Sequence, residues 1–377
     1  MGATYSWHKG AIRINPVWVA SADLQPDEII SSWLVRSALL NGCDPMALTW
    51  SIWPRWRPWT TDIDRWIDSE KLAPLARLSG IPVASFQSAT LRPIASIISN
   101  KLSTNTVWPW ILAIGSRGSS RRSGQQYCPQ CLKEDKKPYF RIHWRFGWHT
   151  VCQKHECSLL DKCYACLHPI QPHQLSAEDR IITICPKCGI DLRNVESHEV
   201  SPVLLSFQVA ADNVIANEGG SFGKHELTVS EWFELAHFFS LLIRRLIVVV
   251  TNPHKELSKI FNLTDLSDRP LPPRDRIELL RINERQKLLR GVAILLKRGP
   301  DFLQKATQTA RATRQSLCPK GVVLPWSLRS IFESLPDNTQ ERKRRLSVKS
   351  YPPKPTPRHL VEKRMRHIMR LVKEQKG

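Results

Sequence analysis

The sequence predicts a mainly α-helical protein with small zinc-ribbon or knuckle modules. Its expected parts are an N-terminal helix-turn-helix-like domain, tandem zinc fingers and a C-terminal helical domain. Three observations carry this. Eight of the ten cysteines fall between Cys128 and Cys188, most of them in Cys-x-x-Cys pairs. Apolar residues repeat with helical spacing on both sides of that stretch. The last 37 residues are rich in Lys and Arg. The parts are placed at 1–115, 116–198, 199–340 and 341–377, the last being a basic tail.

At 377 residues the chain can bury two or three cores. Its formal net charge is +21, and residues 341–377 hold thirteen Lys/Arg against three Glu. Charge clustered in that way suggests a polyanion partner. The N-terminus has no apolar signal region, and the most apolar run, 238–250, is short and broken by Arg244 and Arg245. Paired Cys-x-x-Cys spacing in such a chain favours metal over disulfides. A soluble, cytoplasmic protein with no membrane partner is expected.

Taken in order, residues 1–22 read as an extended arm carrying Trp7 and Trp18. Neither indole has a periodic neighbour to bury against, so each suits a pocket on a partner protein. The alternative is that the arm folds back and Trp18 staples the first helix. That helix is expected to start at Pro26 with Asp27 and Glu28 in its first turn. It would present Ile29, Ile30, Trp33, Leu34 and Ala38 on one face and end at Gly42. Trp50, Trp53, Trp56 and Trp59 follow at three-residue intervals, with prolines that forbid a continuous helix. They read as core filling more readily than as a stacking surface. Asp62, Asp64 and Asp68 show no partner set and read as a solvated helix start.

Residues 70–91 predict two short helices about Gly80, with Leu72, Leu75, Ala76 and Leu78 on one face and Ile81, Val83, Phe86 and Leu91 on the next. Base reading would fall to Gln87, Ser88, Thr90 and Arg92; a packing hairpin is the alternative. Residues 116–126, with Arg117, Arg121 and Arg122, read as a basic linker. Beyond the cysteines, helices are expected at 200–217 (stopping at Gly219-Gly220), 230–250, 275–296 and 325–335. The tail begins with Arg342, Lys343, Arg344 and Arg345 and passes a proline-spaced linker. It ends in a basic helix over 359–376 that carries Lys363, Arg364 and Arg366. These cations are the expected nucleic-acid contacts, made through phosphates and without sequence preference.

The cysteine pairs carry the chemistry. A Cys-x-x-Cys turn sets two sulfurs on one side of a loop, and a second pair returning after about 15–20 residues completes a tetrahedron. Cys163, Cys166, Cys185 and Cys188 form one such set. Cys128, Cys131 and Cys152 form another and need a fourth ligand, for which His155, Cys157 and His149 compete. His155 stands at the x-x spacing from Cys152 that the other pairs share and is assigned. Two structural Zn2+ ions follow. Both sites can be closed by protein, which argues against zinc catalysis.

The motifs together resemble the TniQ/TnsD family of bacterial transposition target-selection proteins. The run Leu24-Gln-Pro-Asp-Glu28, continuing through Ser31, Ser32, Trp33, Leu34 and Arg36, is similar to the family's N-terminal signature. Leu75 to Gly80 resembles its hairpin. Cys128-Pro-x-Cys131-Leu132 with Glu134, Asp135, Tyr139, Phe140, Arg141, Trp144, Cys152, His155 and Leu159 resembles its first knuckle. Cys163 to Gly189 resembles the second, and Gln208 beyond it matches more loosely. The resemblance implies an adaptor with no active site that recruits an AAA+ ATPase regulator and transposase to target DNA. It also implies a bacterial, nucleoid-associated setting, with CRISPR Cascade and its guide RNA as a route in some members, often as a homodimer. A free-standing zinc-dependent DNA-binding transcriptional regulator is the alternative. An enzyme would need an open metal position or clustered carboxylates with partners, and the sequence offers neither.

Overall fold

The computed structural model describes residues 18, 20–103, 106–114, 124–196, 198–249, 251–263, 276–318, 321–337 and 357–374. Helix α1 (Ile30–Leu40) is the element around which the N-terminal half packs. Ile30, Trp33, Leu34 and Ala38 face a compact cluster with α2 (Pro45–Ile52), α3 (Ser69–Ser79) and α4 (Val83–Ser88). Ile29 ahead of it, with Val35 and Leu39, belongs instead to the large cluster that runs through the cysteine region and the C-terminal helices. Trp33 is fully buried, meets Phe86 edge-on at 4.7 Å and donates its indole N–H to Ala22 O at 2.8 Å.

Helix α1 starts later than the sequence reading placed it, and no acidic residue stands in its first turn. Glu28 is buried, bridges backbone-to-backbone with Arg141, and is held by Arg36 at 2.5 Å. The acidic pair before the helix therefore serves tertiary contacts and not the helix dipole. Asp68 does stand at a helix start, in the capping position of α3, and Gly80 ends that helix at φ 76°. Of the polar side chains of the hairpin, Thr90 is buried, Gln87 half-buried, and Ser88 and Arg92 exposed, each with a neighbour. Gln87 donates to Ser69, Ser88 to Ala84 O and Thr90 to Gln87 O, while Arg92 lies over the Trp66 ring at 4.6 Å. Of the four spaced tryptophans, Trp53 is buried and donates to Lys71 O, and Trp59 donates to Thr49 and stacks on His173 at 5.0 Å. Trp56 lies beneath the Lys71 ammonium, whereas Trp50 is 55% exposed. Packing accounts for three of them.

Helix α5 (Arg92–Ile98) leads to the cysteine region, which holds α6 (Pro129–Glu134) and the two-residue hairpin β1 (Val151–Cys152) and β2 (Cys157–Ser158). Most of the expected basic linker lies outside the described residues. Gly124, Gln125 and Gln126 at its end are buried, so the linker stops short of 126. Next come α7 (Pro202–Ala216), the hairpin β3 (Gly219–Phe222) and β4 (His225–Thr228), then α8 (Val229–Val248) and α9 (Asn252–Ile260). The glycine pair ends α7 as expected but then forms β3, a strand the sequence reading lacked. A Cβ on Gly220 would meet Val214 and Trp232 at 2.8 and 2.9 Å, so the strand crosses α8 only without a side chain there. Helix α10 (Ile282–Thr309) runs past the expected stop at Leu296. It kinks at Gly299 (φ 77°) ahead of Pro300, against which the β3–β4 turn at Gly223 packs closely. Short helices α11 (Arg314–Leu317) and α12 (Arg329–Glu333) close the body, and α13 (Arg358–Glu374) carries the tail. Among the described residues, no helix is long and apolar enough to cross a membrane.

Candidate metal centres

Helix α6 fixes the first pair, with Cys128 at its N-cap and Cys131 in its first turn. The β1–β2 hairpin brings Cys152 and His155 to meet them. His155 Nδ1 lies 3.4 Å from the sulfurs of Cys128, Cys131 and Cys152, and Cys131 and Cys152 are 3.5 Å apart. In the second group Cys163 is 3.7 Å from Cys188 and Cys166 is 3.7 Å from Cys185. Sulfurs about 2.3 Å from one ion at tetrahedral corners stand about 3.8 Å from each other. Both groups match that edge, so each can hold a metal ion. Three thiolates with one imidazole in the first, and four thiolates in the second, are donor sets that fit zinc.

The competitors for the fourth position are accounted for. His149 turns away to Asp212 on α7, 2.8 Å from its Nε2. Cys157 is buried with its sulfur 3.7 Å from that of Cys128, and pairs with Cys152 across the hairpin. The ligand atoms that lie within 4.8 Å of one another are those of Cys128, Cys131, Cys152 and His155, and Cys157 stands beside them. The far nitrogen of His155 lies 3.0 Å from Glu134, whose other oxygen is 2.6 Å from Lys154. A carboxylate at this distance behind an imidazole is placed to orient the ring with Nδ1 toward the sulfurs.

The second group is built from two like turns. Cys163 N–H donates to His168 O and Leu167 N–H returns to Cys163 O; Cys185 N–H donates to Ile190 O and Gly189 N–H returns to Cys185 O. The residue after each second cysteine takes a left-handed conformation, φ 72° at Gly189 and 58° at Leu167. Glycine adopts it without strain, whereas Leu167 is strained and 60% exposed. Burial pushes the Cys185 thiol up to about 12, and the backbone hydrogen bond at Ile190 brings Cys188 down to about 7.

The motif residues around the first group interlock. Phe140 N–H donates to Ser32 Oγ, Ser32 donates to Glu28, Ile29 N–H donates to Phe140 O, and Tyr139 donates to Asp27 at 2.6 Å. Ser31 donates through both N–H and hydroxyl to Asp64. Asp62 and Asp64, which read as solvated, clasp the fully buried Arg145 at 2.6 and 2.7 Å. Burial raises the Asp64 carboxyl to about 6 despite that guanidinium. The C-terminal helices reach the same knuckle. Gln208 on α7 pairs with the Val151 backbone in both directions, and Arg285 on α10, also buried, donates to Gly147 O and Gln126. Sequence reading missed Arg145, Arg285, Gln126 and Asp212. The Asp62–Asp64 spacing was a partial signal, but its partner lies some eighty residues away.

The expected partner and nucleic-acid residues are placed unevenly. Trp18 is half-buried, stacks on Trp33 at 5.7 Å and donates its backbone N–H to Leu78 O, the fold-back arrangement. Trp7 and the cluster Arg342, Lys343, Arg344 and Arg345 lie outside the described residues. Lys363, Arg364 and Arg366 are exposed on α13.

What these elements define is a helical protein with two side-chain groups that could each hold a metal ion, whose signature residues are interior joints between helices and a knuckle. The TniQ family model matches residues 20–159, the span of that joint, so this part of the chain is a TniQ domain, a domain of transposition-associated proteins. The second cysteine group and the C-terminal helices lie beyond the matched segment. A search of curated proteins finds no match to the sequence.

Proposed function

We propose that the chain is a non-catalytic target-selection adaptor in DNA transposition. It would link a target-recognition element, either target DNA or a guide-RNA Cascade complex, to an AAA+ regulator and transposase. The observation that carries the reading is how the TniQ signature is used. Glu28, Ser31, Ser32 and Arg36 are tied to Asp64, Phe140 and one another inside the fold, so the signature builds a rigid body and offers no reacting group. Two structural Zn2+ ions staple that body, held by Cys128, Cys131, Cys152 and His155 and by Cys163, Cys166, Cys185 and Cys188. Contact with DNA phosphates falls to Arg342, Lys343, Arg344, Arg345, Lys363, Arg364 and Arg366. Contact with the AAA+ regulator falls to the arm at Trp7 and to the exposed part of Trp18. The engagement of Gln87 with Ser69, of buried Thr90 with Gln87 O and of Arg92 with the Trp66 ring speaks against the alternative regulator that reads bases through the α3–α4 hairpin.

The experiment is co-purification from cells carrying the transposon. The adaptor reading expects the AAA+ regulator to be captured by this chain when target is present. Sequence-specific footprinting of isolated duplex DNA without any ATPase capture would favour the regulator instead.

A further inference from the structure

Helix α13 has a face that phosphate binding does not use. Val361, Met365, Ile368 and Met369 recur at i, i+4, i+7 and i+8 and form one stripe, with Leu360 beside it, and all five are 40–60% exposed. Arg364 borders this stripe, Arg366 and Lys363 lie farther round the helix, and the helix holds six Lys/Arg against two Glu. A backbone of phosphates attracts the cations and leaves the stripe in water. We infer that α13 is a docking helix whose occupant is a protein groove with an apolar floor and a carboxylate rim.

Charge selects that occupant over the others. A second copy would set two cationic helices side by side, and the rest of this chain is net positive too, so neither supplies the complementary rim. An anionic lipid surface would match the charge, but helices that lie in a membrane interface draw on Trp and Tyr anchors, and residues 358–377 contain no aromatic residue of that kind. Methionines at two of the four stripe positions suit a groove, since the unbranched thioether adapts to irregular apolar walls.

The test uses the full chain and four purified probes at about 0.3 M salt, where exposed charges are screened beyond a few ångströms. The groove probe is calcium-loaded calmodulin, whose opened groove is Met-lined and acid-rimmed. Polyglutamate supplies acid without a groove, and a DNA duplex and phosphatidylserine vesicles supply the other anions. The expected result is binding to calmodulin at least tenfold tighter than to polyglutamate. The double variant Met365→Gln/Ile368→Gln, which keeps helix propensity, should lose at least tenfold on calmodulin and nothing on DNA. Equal affinity for calmodulin and polyglutamate, or an unaffected double variant, overturns the inference. So does tighter binding to vesicles with the same sensitivity, which would make the face a lipid one, or a loss of DNA affinity, which would make it part of the nucleic-acid surface.

Discussion

Arg145 lies between Asp62 and Asp64 with no solvent contact and donates in addition to Leu112 O. Removing one member of such a group strands the opposite charge, at about 3–5 kcal/mol. Arg145→Met is therefore expected to lower the denaturant midpoint sharply, while Arg55→Met on the exposed tryptophan loop leaves it in place. The metal ligands make a sharper residue-scale claim. Cys128→Ser and Cys163→Ser should each remove one zinc per chain by elemental analysis, and Cys157→Ser should remove none. If Cys157→Ser loses a zinc and His155→Ala keeps it, the first ligand set is wrong. Glu134→Ala should weaken the first site about 10–100-fold in a chelator competition, because His155 loses its orienting carboxylate. The two cysteine groups were legible in the sequence because each pair is set by a local turn. Arg145 was not, since nothing local to a buried arginine distinguishes it from a solvated one.

At the scale of elements, helices with a clear apolar period match the sequence reading, among them α3, α7 and α8, while α1 keeps its apolar face but not its expected start. The β3–β4 hairpin was invisible because Gly219-Gly220 looks the same as a helix stop and as the start of a strand threaded against Trp232. Helix α10 outran its predicted end because Gly299 and Pro300, usually a terminus, make a kink there instead. Packing of Trp18 on Trp33 gives the arm a testable role: Trp18→Ala should lower the melting temperature by several degrees. Burial also holds His237 and His254 below the ordinary histidine range. Both stay neutral in the fold and take a proton on unfolding once the pH is below about 6.5. Their stabilising contribution is present above that pH and is lost as the pH falls below it. His254 also bonds Thr251 and Ser316 O, so His254→Asn should lower stability above the histidine range and flatten its fall as the pH drops through about 6.5, read by melting alongside zinc content.

Across the whole molecule, the first cysteine group is where the parts meet. The signature helix reaches it through Phe140, α7 through Gln208 and α10 through Arg285. The second group rests on fewer such anchors, with Trp59 stacked on His173 and Ala177 N–H donating to Asp44. The composition of the chain announced a metal-stapled body, but only the folded chain shows that its C-terminal helices are fastened to the knuckle. Long-range side-chain pairs of that kind leave no periodic trace. The basic tail adds a further test: deleting 341–377 should flatten the slope of log DNA affinity against log salt, and an unchanged slope would deny it a phosphate-binding role.

The central claim is that this rigid body, with its two proposed zinc sites, selects insertion sites without doing chemistry. The most direct measurement is the genome-wide distribution of insertions made by its transposon with and without this gene. An adaptor predicts insertions concentrated at one class of target in its presence, and in its absence a collapse of that peak while the transposase still cuts donor DNA. An insertion profile that is the same with and without the gene would contradict the account.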